Sequence, residues 1–278
     1  MTIWQADFYR RPLKNELDQA LWELLICDQE GNLKASVLCP QAEATADWLK
    51  DELIKLAASL PERIQVFRPQ TLNLLETACQ SLGIVVEATR HTPALHQWLE
   101  RRSQDYPSLP EYNGQPYQPL NLDRPPPLPL PENLWGDRWR FATLAASGIA
   151  EVFKERPIPI LDLPAEFLPL NLGLASDLAV PGIVIDGGRQ SMRLARWLEA
   201  SHPYSLNFLA GAPDGLVLEA GLVDRWIVAT FEDSEVRSVA TQYENRKQAS
   251  RGLHFLLVQP DDSGMTYTGF WLLREYPT

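Results

Sequence analysis

Apolar residues crowd 22–27, polar turn residues follow, and apolar positions return over 33–38, so the pattern predicts a β-hairpin. Asp28 to Asn32 form its turn, with Gly31 and Asn32 suited to positive φ. Over 41–60 the period changes. Ala44, Trp48, Leu49, Leu53, Leu56 and Ala57 recur near helical spacing, with Pro61 just beyond the end. A short strand is predicted over 63–67. A helix over 71–81 is capped by Thr71 and closed by Gly83, and another strand covers 84–88. Thr92-Pro93 then opens a helix through Trp98 to Arg102, with proline at its first position.

The second half repeats this mixture. Strands are predicted at 182–186, 216–219 and 225–230, and helices at 190–200 and 231–250. A final hairpin pairs 253–259 with 266–273 through Asp261-Asp262-Ser263-Gly264. The prolines of 157–169 predict irregular structure there. Interleaved strands and helices indicate the α/β class, with α+β open. The segments Gln97-Trp98-Leu99-Glu100 and Arg196-Trp197-Leu198-Glu199 leave a duplicated domain open as well.

Proline sets the domain map. Nine of the 23 prolines lie within 103–133, including Pro125-Pro126-Pro127. Such a stretch has few backbone donors and fixed φ, so it is expected as an extended linker between domains 1–102 and 134–278. These carry net charges of −3 and −5 within a total of −11 over 278 residues, so neither is a basic module. Net acidity excludes bulk, sequence-blind attraction to nucleic acid or anionic lipid, but not a local basic groove. No apolar run reaches the length of a membrane span, and the first residues lack an export signal.

Catalytic and cofactor motifs are lacking. No phosphate loop, nucleophile elbow or C-x-x-C motif is present, and His91, His96, His202 and His254 are not spaced as zinc ligands. Neither a cofactor nor a metal is therefore expected. Cys27, Cys39 and Cys79 read as buried thiols. Asp186-Gly187-Gly188-Arg189 lies between strand and helix, where amides can cradle an anion, though a plain connection is the favoured reading. Glu23, Asp28 and Lys34 could form a nuclease-like metal set, but Glu23 and Asp28 fall on opposite faces of one strand.

Local basic–aromatic clusters do stand out. Arg10, Arg11 and Lys14 accompany Trp4, Phe8 and Tyr9, and Arg63 and Arg68 flank Phe67. Arg90, Arg101 and Arg102 bracket the helix carrying His96 and Trp98, while Arg138 and Arg140 alternate with Trp135, Trp139 and Phe141. Cations neutralise phosphates and aromatics stack on unpaired bases, a pairing suited to single-stranded RNA.

A longer motif string sharpens this reading. It begins with Trp4-x-x-Asp7-Phe8-Tyr9-x-Arg11-Pro12 and Trp22-Glu23-Leu24-Leu25-x-Cys27-Asp28. It continues through Phe67-Arg68-x-Gln70, Ala78-Cys79, Arg90-x-Thr92-x-x-Leu95-x-x-Trp98-Leu99-x-x-Arg102 and Tyr106-Pro107. The second half adds Leu134-x-Gly136-x-x-Trp139-x-Phe141 and Ala220-Gly221-Leu222-x-x-Arg225-Trp226. It closes with Gly252-Leu253-His254-Phe255-Leu256-x-Val258-Gln259 and Gly269-Phe270-Trp271-Leu272-Leu273. This string resembles the Tab-type RNA-binding translation factors of oxygenic phototrophs. The resemblance implies a non-catalytic protein that binds A/U-rich 5′ leaders and is tied, in chloroplasts, to translation of the PsaB message of photosystem I. It also implies a cyanobacterial, cytoplasmic setting, with translation machinery or photosystem assembly proteins as further partners. A metal-dependent nuclease and an acidic scaffold for photosystem assembly are the alternative readings. The expected RNA-contact residues are Arg90, Trp98, Arg101, Arg102, Arg138 and Trp139.

Overall fold

The hydrophobic runs at 24–27, 183–185 and 253–258 are long because their sheets are covered on both faces. The computed structural model describes residues 2–56, 60–154 and 156–276. The chain folds as two units, Met1–Asp123 and Arg124–Thr278.

Unit 1 holds β1 (Ile3–Lys14), β2 (Ala20–Asp28), β3 (Leu33–Pro40), α1 (Ala46–Lys55) and β4 (Arg63–Val66), then α2 (Pro69–Gln80), β5 (Val85–Ala88) and α3 (Pro93–Asp105). Its sheet runs β3-β2-β1-β4-β5. β1, β2 and β3 are antiparallel neighbours, whereas β1, β4 and β5 are parallel. The central strand β1 is absent from the sequence-based expectations. Its tail reads as a basic, proline-containing segment, yet Arg11 is buried and Pro12 lies where the pairing with β2 is irregular.

Alternation divides the residues of this sheet between two faces. Trp4, Ala6, Phe8, Leu24 and Ile26 pack with Leu49 and Leu53 of α1 and Leu75 and Ala78 of α2. On the opposite face, Leu25 and Cys27 meet Ala94, Leu95 and Leu99 of α3. Two helix starts differ from expectation. Residues 41–43 form a 3-10 turn, and α1 begins after Thr45, whose hydroxyl accepts from the Trp48 amide at 3.2 Å. Residues 57–59 of the helix expected over 41–60 lie outside the described residues. α2 is capped at Arg68 with Pro69 at its first position. Thr71 sits inside it, donating its hydroxyl to the Arg68 carbonyl at 3.0 Å.

Residues 103–133, expected as an extended linker, divide between the two units. Tyr106 is buried with Leu13 and Leu21, and Leu120 and Leu122 lie against the α3 cluster. Farther along, Leu128–Pro129 form β6, and Leu130 and Leu134 enter the core of unit 2.

Unit 2 continues with β7 (Arg138–Ala145), α4 (Ala146–Lys154), β8 (Ile160–Asp162), β9 (Ala179–Asp186) and α5 (Ser191–Ser201). β10 (Pro203–Leu209), β11 (Asp214–Ala220), β12 (Asp224–Phe231), α6 (Ser234–Ala249), β13 (Leu253–Gln259) and β14 (Gly269–Arg274) complete it. One sheet runs β7-β9-β13-β14-β8 and the other β10-β11-β12-β6. In the first, Val184, Phe255, Leu257, Phe270 and Leu272 pack on Ile149 and Phe153 of α4. Ile183, Ile185, Leu256, Val258 and Trp271 face the second sheet and α5. The expected final hairpin is β13–β14. β7, α4 and β10 were not expected, and β8 lies in the region expected to be irregular.

Candidate nucleic-acid interface

Three of the arginines singled out in unit 1, Arg11, Arg68 and Arg90, are internal. Asp7 on β1 and Glu23 on β2 are completely buried on the α3 face. Arg11 bridges them, at 2.9 Å to Asp7 Oδ2 and 3.0 Å to Glu23 Oε2. Arg68 donates to Asp7 Oδ1 at 3.0 Å and to the Pro119 carbonyl at 2.7 Å. Its guanidinium also lies 4.1 Å from the centre of the Tyr9 ring. Arg102 donates to Glu23 Oε1 at 2.7 Å, and Ser36 and Tyr106 donate to the same carboxylate. Burial alone would raise the Asp7 and Glu23 carboxyls. Arg68 and Arg11 outweigh it at Asp7, while Arg11, the Tyr106 hydroxyl and Arg102 do so at Glu23, and both stay ionised below the usual range.

Two expected contact residues are therefore spoken for or enclosed: Arg102 by Glu23, and Arg90 by burial at 6% exposure. His96, which burial pushes down to about 4, is neutral near pH 7 and cannot act as a cation there. Arg101 is exposed on α3, and Trp98 is half-buried against the cluster of Leu25, Cys27 and Leu99. The Trp98 indole N–H donates to the Gly31 carbonyl at 2.8 Å, and the Arg101 guanidinium sits 5.3 Å from the ring centre. The imagined metal set is dispersed as well. Glu23 serves the buried network, whereas Asp28 accepts from Lys34 and Asn32 in the hairpin turn. Among the described residues, no group of three His, Cys, Asp or Glu side chains could hold a metal ion.

In unit 2 Arg138 is exposed, while Trp139 is half-buried against the core. Arg138 and Trp139 line a cleft of about 400 Å³ with Trp135, Leu130, Leu134, Ile185, Leu194 and residues 227–230. Gly136 lets the chain pass close to β9 on its way into β7, since a Cβ there would lie 2.5 Å from Ile185 Cγ2. Trp135 is 55% exposed, and its indole N–H donates to the Leu130 carbonyl at 2.7 Å. Neighbouring Arg140 is tied to both oxygens of Asp186, at 3.0 and 2.9 Å, whereas exposed Arg138 has no ion pair among the described residues. The Gly187 and Gly188 amides donate to the Gln259 and Pro260 carbonyls, so this turn is a plain connection, not an anion cradle. Trp135 is the residue omitted from the expected contact set. Its place in the Trp135–Phe141 alternation marked it, but its exposure is set by tertiary packing.

Residues 3–102 match the family model described as RNA-binding protein Tab2/Atab2 N terminal, and residues 117–274 match that of the Tab2/Atab2 C-terminal domain. The chain belongs to the Tab2/Atab2 family of RNA-binding proteins. Within it, the chain is similar to the Protein TAB2 homolog, chloroplastic, of Arabidopsis thaliana, at 30% identity over 99% of this chain and 75% of the relative. The Zea mays protein of the same name is also 30% identical, over 99% and 72%. Among solved structures, the HTLV-2 integrase catalytic core domain in complex with magnesium is similar over 40% of this chain and 77% of its own. Its 16% identity and TM-score of 0.27 carry no argument about activity. No described helix is long and apolar enough to cross a membrane.

Proposed function

We propose that this member of the family binds single-stranded, A/U-rich RNA in the 5′ leader of a photosystem I reaction-centre message, that for PsaB, and supports its translation without a catalytic step. The observation that carries this reading is an exposed arginine beside a tryptophan in each unit: Arg101 over half-buried Trp98, and Arg138 in the cleft with exposed Trp135 and half-buried Trp139. Guanidinium groups bind phosphate in a planar fork and also stack on bases, and indoles offer a face to any base. The contact set is Trp98, Arg101, Trp135, Arg138 and Trp139, with Arg90 and Arg102 assigned to the fold. The place of action is the cytoplasm of a cyanobacterial cell, or the stroma in plastid relatives, where translation machinery and photosystem assembly proteins are the further partners.

Fluorescence anisotropy with labelled leader RNA tests the reading. Binding should favour A/U-rich over G/C-rich single strands. It should weaken with salt by about 0.7 log units per log unit for each phosphate neutralised. A salt-independent signal, or magnesium-dependent cleavage of the RNA, would overturn it.

A further inference from the structure

We infer that the unit-2 cleft receives one unpaired nucleobase of a single-stranded RNA, stacked on Trp135 with the adjoining phosphate on Arg138; this rests on the RNA-binding reading above. Four observations converge on that occupant. The Trp135 ring is large, more than half exposed and tethered through its indole N–H to Leu130, so it is a preset platform. The cleft beside it is walled by apolar Leu130, Leu134, Ile185 and Ile227, and its volume falls in the range of small-ligand sites. Its one arginine, Arg138, is exposed and not engaged by a carboxylate, unlike Arg140 two residues on. Finally, β6 pairs with β12 only at Trp226 and Ile227. Beyond them, on the side away from β11, residues 228–230 have no paired strand among the described residues and form an open sheet edge on the cleft wall. Edge peptide groups can meet the hydrogen-bonding edge of a base while the indole covers its face.

The cleft is too apolar for a free phosphate or a metal ion, and a lone cation on an apolar rim matches a base with its phosphate. Because stacking is tolerant of base identity, this subsite should contribute affinity more than sequence choice.

The test uses the full chain and a heptaribonucleotide carrying one 2-aminopurine. Stacking on Trp135 should quench the probe on binding. Trp135→Ala should weaken affinity about 5- to 100-fold and remove the quench, from the worth of one stacked base. Trp135→Phe should keep both within about threefold, since a ring face remains. Arg138→Ala should lower the salt slope by about 0.7. If Trp135→Ala does not fold, the quench in the unaltered chain, Trp135→Phe and the Arg138→Ala slope still decide. Tight RNA binding without quench and with an unchanged slope in Arg138→Ala would overturn the cleft assignment alone. That is also the result expected if the open edge takes a peptide strand. Failure of the unaltered chain to bind any single-stranded RNA would overturn the RNA reading itself, and this subsite with it.

Discussion

The second faces of the two units are closed by different chemistry. In unit 1, the α3 side of the sheet encloses Asp7, Arg11, Glu23 and Arg68 in a continuous set of ion pairs. In unit 2, the α4 side encloses Phe153, Phe255 and Phe270, with Phe153 and Phe270 stacked at 3.9 Å. Buried charges demand counterions, so Asp7 and Glu23 draw Arg11 and Arg68 inward and take Arg102 from the helix pair, leaving Arg101 at the surface. In unit 2 the buried Asp186 takes Arg140 alone, and Arg138 stays exposed on the cleft. Each unit therefore holds structural arginines, Arg11 and Arg68 in the first and Arg140 in the second, beside an exposed one, Arg101 or Arg138. The sheets also differ in order and direction, so the Gln-Trp-Leu-Glu and Arg-Trp-Leu-Glu helices, α3 and α5, sit in different topologies.

The sharpest way to break this comparison is Glu23→Ala. It leaves Arg11 buried with one carboxylate fewer and strips Arg102 and Tyr106 of their acceptor, so it should destabilise unit 1 by about 3–5 kcal/mol. Amide hydrogen exchange should show lost protection in β1 and β2 with β9 and β13 little changed; equal loss in both units would refute the contrast.

The apolar face should answer to size instead. Gly182 faces Phe255, whose ring atoms would lie 2.4 Å from an added Cβ. Gly182→Ala should cost about 1–3 kcal/mol through overpacking of unit 2, read as a shifted urea midpoint. An unshifted midpoint would mean that the aromatic face repacks freely.

Acid should sharpen the contrast in stages. His96 and His254 are pushed down by burial, to about 4 and about 3, so each folded state disfavours the charged ring. The unfolded chain binds those protons first, and both units should lose stability as pH falls from about 6.5. Asp7 and Glu23 have folded pKa values below their ordinary 3.8 and 4.5. Their contribution is complete above that range and is lost as pH falls through it toward the folded values. Unit 1 should therefore show a second acid loss below about pH 4.5, and Glu23→Gln should reduce it. An undiminished second loss in that variant would remove Glu23 as its source.

The smallest effect separates neighbours on one helix. Arg101→Ala should change stability by no more than about 0.5 kcal/mol, because Arg101 is exposed and its contact is a ring face. Arg102→Ala, which leaves a buried carboxylate short of a partner, should cost several times that. Similar values for the two would place Arg102 at the surface after all.

The amino-acid sequence by itself determined where the hairpins lie, where α2, α3, α5 and α6 run, and which family the motifs resemble. These depend on local periodicity, turn chemistry and residue order, all carried within a few positions of the chain. β1 escaped because its tail breaks local strand rules, with Arg11 neutralised by Asp7 and Glu23 and Pro12 beside an irregularity. β7 escaped because Arg138 and Arg140 mask the inward set of Trp139 and Phe141. The basic–aromatic clusters were legible as composition, but their roles were not. Whether an arginine faces solvent or a buried carboxylate depends on partners distant in sequence: Arg102 on Glu23, Arg68 on Asp7 and Arg140 on Asp186. The exposure of Trp135, beside the buried Leu134, was likewise decided by tertiary packing. Only the tertiary fold sets burial, and burial decides whether a charge must be paired within the protein or stays free to meet a ligand.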